Sequence, residues 1–525
     1  MSTNVVNLDA LIPREDLGVL SQQLSSQTDN KITIPHLTGF VFGPDLRKPQ
    51  FQRETNQWTP KKVVELLTAF VDRDLIPAVI LWRAGQYIFV VDGAHRLSAL
   101  LAWVKNDYGD GVLSQAFFGG KIPDEQQKIA KKTREMVNKA IGSWTDHEEA
   151  MKGVPKPEYI MKRVGMLSDC GMIAQWVPTS DPESAEASFF KINQAATPID
   201  PTERRLLKAR NSASAVAARA ITNAGTGNKY WGKFGPVARS QIEACAAEVY
   251  GILYSPPITG SPINTLDVPI AGQGYNALPF VFDLVNDVND VGVPDSSKKQ
   301  SVKESLPIDE DGSLTLSYLK RVRKSLEKIS TDHPGSLGLH PVVYFYTRGG
   351  AFKPEAFLAA QKFVQYLNTH NALKAFQKVR KQFEDYLVDH KEALALIVHR
   401  FGTGHRSIPR LVDYYKVLFD LFKQGLSPLQ VTEHLTNDAD FKFLTVSAPS
   451  PKPKKPGTKA PFTTSTKTTV FFAQALASCI RCTECGARVH KNSQHVDHAI
   501  AQKDGGHSGP SNGQITHPYC DSAKG

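Results

Sequence analysis

The residues best equipped for chemistry stand near the end of the chain. Cys482 and Cys485 are two residues apart and followed by Gly486, the spacing at which two thiolates of one tight turn share a tetrahedral metal ion. His517 and Cys520 repeat that spacing, completing a Cys3His set suited to a structural zinc. Cys479 also forms a Cys-x-x-Cys with Cys482, so the first pair can be shifted by one step; Gly486 favours Cys482 with Cys485. Between the two halves lies Asp497-His498, a carboxylate for a hard cation beside an imidazole placed to serve as general base. Cleaving a phosphodiester needs an activated water and charge stabilisation at the phosphate, and such a pair supplies both.

A second constellation is Asp92-Gly93-Ala94-His95-Arg96. A strand that ends in Asp-Gly and opens into an amphipathic helix gathers unpaired backbone N–H groups and a positive dipole end at one point, and such a point attracts anions. Gly93 lets the backbone turn sharply, and His95 and Arg96 in the first helical turn are within reach of a phosphate. Asp92 is available to cap the helix or to help hold a metal ion.

The elements that must position these residues follow from the pattern around them. Thr59 as N-cap, Pro60 at the first helical position and an apolar stripe of Val63, Val64, Leu66, Leu67, Phe70 and Val71 predict a helix from Pro60 to Asp72. Ala78 to Trp82 and Tyr87 to Val91 predict a hairpin about Arg83-Ala-Gly-Gln86, whose second strand feeds Asp92. Residues 120 to 170 are rich in lysine, with a helix over Gln126 to Ile141, and read as an insertion. A strand over Met172 to Val177 precedes Phe189-Phe190-Lys-Ile-Asn193, and Asp200-Pro201-Thr-Glu203 starts a long helix through Thr222. Further helices are predicted over Leu314 to Ile329, Pro354 to Leu367, Leu373 to Val398 and Ile408 to Phe422. The aromatic stretch His340 to Arg348 reads as core, and His399 to Arg406 as a basic loop.

At 525 residues, with 41% apolar, the chain is expected to hold two or three domains. The domains are expected over 45–222, over 223–446, which is helical, and over 470–525, with a leader over 1–44 and an extended Pro/Lys linker over 447–469. No apolar run is long enough for a membrane span, and the first residues have neither a charged n-region nor an apolar h-region, so a cytoplasmic protein is expected. Four of six cysteines crowd into the last fifty residues, which favours metal over disulfides. From Val446 onward, eight lysines and two arginines face four acids, a net +6 within a total of +10, as suits a polyphosphate partner.

Over about residues 45 to 215 the chain resembles the DGQQR-type nucleotidase domain of the ParB/sulfiredoxin-like fold, found at the head of GmrSD-like type IV restriction enzymes. The residues that carry the resemblance are Gln52-Arg53 with Trp58, Asp92-Gly-Ala-His-Arg96-Leu-Ser-Ala-Leu100, and Phe190-Lys-Ile-Asn193 with Thr197-Pro198. It implies a nucleotide pocket, for ATP or GTP, made of Gln52, Arg53, Asp92, Gly93, His95, Arg96 and Asn193. Ala94 and His95 stand where that family usually has two glutamines. The last stretch, about 478 to 525, resembles an HNH endonuclease, a ββα-metal fold with zinc-binding knuckles. That resemblance implies His498 as base, Asp497 and Asp521 as ligands of a catalytic Mg2+ or Mn2+, and Asn512 as the residue that steadies the loop carrying His498. Asp521 replaces a more frequent Asn or His, and His517 a frequent Cys.

The expected architecture is thus an α/β ParB/sulfiredoxin-like domain, a mainly α middle and a small ββα-metal domain. The expected function is a metal-dependent DNA endonuclease or nickase of a type IV restriction-like anti-phage system, governed by nucleotide binding or hydrolysis in the N-terminal domain. Its partners would be foreign or modified DNA and a nucleotide, with no membrane, and homo-oligomerisation stays open. The sequence stops at Gly525, where the family's helix would be starting, so the alternative is a non-cleaving DNA-binding regulator or modification reader with a degenerate HNH domain.

Overall fold

Apolar, β-branched runs on either side of Gly85-Gln86 build the frame of the N-terminal part. Strands β4 (Val79–Ala84) and β5 (Tyr87–Asp92) pair antiparallel with Ala84 opposite Tyr87, so the connection shrinks to two residues. They form the middle of a six-stranded mixed sheet ordered β1-β3-β5-β4-β6-β2, completed by β1 (Arg14–Glu15), β2 (Lys31–Ile32), β3 (Leu46–Pro49) and β6 (Met172–Trp176). The computed structural model describes residues 5–15, 29–39, 42–50, 52, 54–120, 122–167, 170–178, 181, 183–188, 191, 205–206, 209–258, 260–272, 277–291, 306–445 and 461–524. It divides into two compact units, one of residues 3–211 with 226–230, the other of 1–2, 212–225 and 231–525.

In the first unit the helix Pro60–Val71 begins where predicted, the Thr59 hydroxyl accepting from the Lys62 N–H at 3.4 Å. Two expectations fail here. Residues before 45 are not a leader: Val6, Leu8, Leu11, Ile12, Ile32, Ile34 and Leu37 are core residues, and β1 and β2 are the two edges of the sheet. Two-residue strands carry too few positions to show a period of two, which hid them. Nor is 120–170 an insertion, because the helix Asp124–Ile141 packs on Pro60–Val71 and gives Ile129, Ala130, Val137 and Ile141 to the same core.

The helix expected from Asp200 through Thr222 has its start outside the described residues, and its end is a separate helix, Ala213–Thr222. Ser212 caps it, accepting from Ala215 N–H at 3.3 Å while its own extended backbone bridges to Ile308. The predicted helix Leu373 to Val398 is two, Leu373–Asp389 and Glu392–Phe401. The break at His390-Lys391 lets the buried Lys391 ammonium donate to the carbonyls of Val342 and Val343. Leu314 to Ile329, Pro354 to Leu367 and Ile408 to Phe422 appear as Ser313–Glu327, Pro354–Thr369 and Ile408–Lys423. Phe363, Phe376, Phe383, Tyr415 and Phe419 interlock at the centre, Phe363 and Phe383 stacking with centroids 5.7 Å apart. Tyr344, Phe345 and Tyr346 are buried, as expected of the aromatic stretch.

The extended linker does not reach 469. Residues 446–460 lie outside the described set, but Thr463 caps a helix over Thr464–Ala477, and Thr468 Oγ1 accepts from Ile263 N–H at 3.0 Å. The terminal domain is therefore built into the helical unit, not hung from it as a separately moving module. Among the described residues no helix is long and apolar enough to cross a membrane.

Candidate active site

The ribbon that carries the first ligand pair is a short hairpin. Arg481 bridges antiparallel to Arg488, Cys482 N–H donates to Ala487 O at 2.8 Å, and Gly486 N–H closes the turn on Cys482 O at 2.9 Å. The second pair is placed by the helix Pro518–Ser522, with His517 as N-cap and Cys520 inside it. All four side chains are buried, and their donor atoms lie within 4.8 Å of one another. Cys485 Sγ is 3.4 Å from Nδ1 of His517, whose Nε2 meets the Arg488 carbonyl at 3.1 Å. That outer contact fixes the ring so that Nδ1 faces the sulfurs.

Crowding also separates the thiols electrically. Hydrogen bonds from Cys485 and Cys520 hold the Cys482 thiol far below its ordinary value. The bond with Cys482 pushes Cys485 up to about 11, and the same partners push Cys520 up further. Three sulfurs in a space that disfavours three protons are the donor set a zinc ion takes. Cys479, half-buried and 3.6 Å from Val489 O, is outside the set, so the pair is Cys482 with Cys485.

Strands β7 (His495–His498) and β8 (Gly513–Thr516) lie antiparallel beside this centre, with Asp497 opposite Gln514 and His498 opposite Gly513. Asp497 Oδ2 accepts from Lys524 Nζ at 2.6 Å and from Gln514 Nε2 at 3.2 Å, and Oδ1 accepts from the His498 N–H at 2.6 Å. Burial pushes the Asp497 carboxyl up, but the Lys524 and Gln514 donors outweigh it and hold it at about 2. Asp521 is pushed the other way by burial and by the neighbouring Asp497. Two carboxylates set so close that each raises the cost of charging the other form a place where a divalent cation relieves the repulsion.

His498 Nε2 lies 3.2 Å from Ser508 Oγ and 3.4 Å from Gln502 Nε2. Asn512, buried, ties that loop: its Nδ2 donates to Ile500 O and His507 O at 2.9 and 2.8 Å, and its Oδ1 accepts from Ile500 N–H at 2.8 Å. Two residues of this face were missed from sequence. His495 Nδ1 stands 3.0 Å from Asp521 Oδ2, and Lys524 bridges Asp497 to Glu484 of the first knuckle at 2.6 and 2.8 Å. The period of two along β7, which puts His495 on the same side as Asp497, was the signal available for the first.

In the first unit, Gly93 (φ +96°) lets β5 turn into the helix Ala94–Lys105. Asp92 does not cap that helix; its Oδ2 accepts from Arg96 Nη2 at 2.6 Å, and Arg96 also donates to Ala78 O at 3.1 Å. The His95 ring stacks on Trp58 with centroids 5.5 Å apart. Gln52 donates to Val91 O at 3.5 Å, while its Oε1 is buried without a hydrogen-bond partner among the described residues. Gln52, Asp92, Gly93, His95 and Arg96 are therefore brought to one strand–helix junction. Arg53 and Asn193 lie outside the described residues.

Two family models match parts of the chain. Residues 36–211 match the model of the GmrSD restriction endonuclease, N-terminal domain. Residues 482–525 match that of the HNH endonuclease. No curated protein and no solved structure matches the chain.

Proposed function

We propose that this chain, which joins a GmrSD restriction endonuclease N-terminal domain to an HNH endonuclease domain, is a metal-dependent DNA endonuclease or nickase of a type IV restriction-like anti-phage system. The observation that carries the reading is the approach of Asp497, on the β7–β8 hairpin, to Asp521, on the short helix Pro518–Ser522 beside the Cys3His set, with His498 next to Asp497 in β7. Asp497 and Asp521 would hold one Mg2+ or Mn2+, whose charge would stabilise the phosphate as negative charge builds on it. His498 takes the proton of the attacking water, and Ser508, Gln502 and the Asn512-pinned loop hold its ring in place. Zinc on Cys482, Cys485, His517 and Cys520 has a structural role.

The N-terminal unit is read as the regulator. Its mixed sheet with flanking helices is compatible with a ParB/sulfiredoxin-like fold, and ATP or GTP would meet the junction of Gln52, Asp92, Gly93, His95 and Arg96. Foreign or modified DNA is the substrate this fusion suggests. The test is plasmid nicking with Mn2+: His498→Ala should lower the rate by at least about 100-fold, the size of a general-base contribution, with zinc content unchanged. Cutting that survives the substitution refutes the assignment of the base. Wild-type protein that shifts DNA in a gel without cutting it refutes the nuclease and leaves a modification reader.

A further inference from the structure

The Cys3His set is approached from outside by a buried ion pair of the helical region. On the helix Leu373–Asp389, the Arg380 and Glu384 side chains are 1% and 0% exposed, and Arg380 Nε donates to Glu384 Oε1 at 2.9 Å. Arg380 Nη2 donates to Gly338 O at 2.9 Å, and Nη1 donates to Leu337 O while lying 3.4 Å from Nδ1 of His517. Glu384 Oε2 accepts from the N–H of Arg488 at 3.0 Å, and Arg488 is the residue whose carbonyl holds Nε2 of His517. One residue along, Asp385 pairs with Arg481 and Arg488 of the same ribbon, each at 2.9 Å.

The loop before this network closes on the same ligand. A Cβ at Gly338 would sit 2.5 Å from Cδ2 of His517, so only glycine lets the backbone come so near. Ser336 O accepts from Tyr519 N–H at 3.0 Å, between His517 and Cys520, and Ser330 shares a hydrogen bond with Ser493 at 2.9 Å. One divalent ion with three thiolates leaves a single negative charge, and in a water-free interior a neighbouring guanidinium compensates it strongly. Without that charge, Arg380 keeps Glu384 as its anionic neighbour in this network, and the cost of burying it rises.

We infer that Arg380 is the outer charge partner of the zinc site, and that the ion locks the ribbon, the loop 330–340 and the helix Leu373–Asp389 into one folding unit. Because His517 stands at the N-cap position of the short helix that carries Asp521, the same lock sets the position of a candidate catalytic carboxylate. The inference rests on reading the Cys3His set as a zinc site, so the full-length chain is first assayed for metal. A chain that purifies without zinc and takes none up overturns that reading, and the lock with it.

With zinc present, a chelator is added and hydrogen exchange is followed along the chain. Exchange should rise in 330–340 and 373–389 together with 479–524, while the helix Pro236–Tyr254 keeps its protection; a rise confined to 479–524 overturns the lock. The paired variant Arg380→Met with Glu384→Gln, which leaves no buried charge orphaned, should release zinc to a chromophoric chelator at least about 10-fold faster, as loss of an outer-shell partner does. Unchanged release in that variant overturns the role of Arg380.

Discussion

Asp9 belongs to no motif, yet its Oδ1 accepts from Arg14 Nη2 at 2.9 Å, Lys48 Nζ at 2.6 Å, and Thr55 N–H and Oγ1 at 3.1 Å each. Burial pushes the carboxyl up, but the charges of Arg14 and Lys48 outweigh it and hold it well below the usual carboxylate range. A group whose folded pKa is depressed stabilises the fold above its unfolded pKa and loses that effect as pH falls through the folded one. Asp9→Asn should therefore cost about 3 kcal/mol or more at neutral pH, since two buried cations lose the charge of Asp9. The gap to wild type should narrow below about pH 4. Five of the six tryptophans belong to the unit that contains Asp9, so urea unfolding followed by tryptophan fluorescence reads the effect. A gap unchanged between pH 7 and pH 3 refutes it. The contrast with the Cys3His set shows what sequence displays at this scale. Cys482 with Cys485 and His517 with Cys520 announce themselves because each pair is fixed by one turn. The donors to Asp9 from Lys48 and Thr55 are 39 and 46 residues away, and only the sheet brings them together.

Elements were legible where one local rule governed both ends. The Thr59-Pro60 start and the Gly85-Gln86 hairpin were such cases, and so was the junction at Gly93. Elements were misread where a distant partner broke a continuous pattern: Lys391 leaves an otherwise helical run to reach the carbonyls of Val342 and Val343, and Ser212 turns aside to pair with Ile308. The Gly93 junction yields a prediction at this scale. Its backbone is left-handed at φ +96°, and an added Cβ would lie 2.6 Å from Val79 Cγ1 and 3.1 Å from Arg96 Nη2. Gly93→Ala should cost about 1–2 kcal/mol from the backbone alone, and more from the collision with β4. It should also displace Arg96 from Asp92. Thermal unfolding by tryptophan fluorescence measures the first effect, and a midpoint within a degree of wild type would show that the junction tolerates a side chain.

For the whole molecule, the surplus of positive charge is the property that bears most directly on DNA. Of the net +10, +6 falls between Val446 and the end, and Lys452, Lys454, Lys455 and Lys459 lie in the Pro/Lys run just ahead of the helix Thr464–Ala477 that leads into the ribbon. A cation that meets a DNA phosphate releases a condensed counterion, so the logarithm of the binding constant falls linearly with that of salt, by about 0.9 for each contact. Binding of the full chain to a plain duplex, measured with the divalent ion withheld so that no cutting intrudes, should therefore weaken steeply from 50 to 200 mM salt. Replacing the four lysines by glutamine should flatten the slope by about 1 for each lysine that reaches a phosphate. The nicking rate at saturating DNA should stay the same, because none of the four is near Asp497, Asp521 or His498 in the chain. A slope that does not change on replacement would place the DNA contacts elsewhere, on Lys491 and Lys503 beside the β7–β8 hairpin, both exposed. A slope near zero in the wild type would remove nucleic acid as the partner altogether.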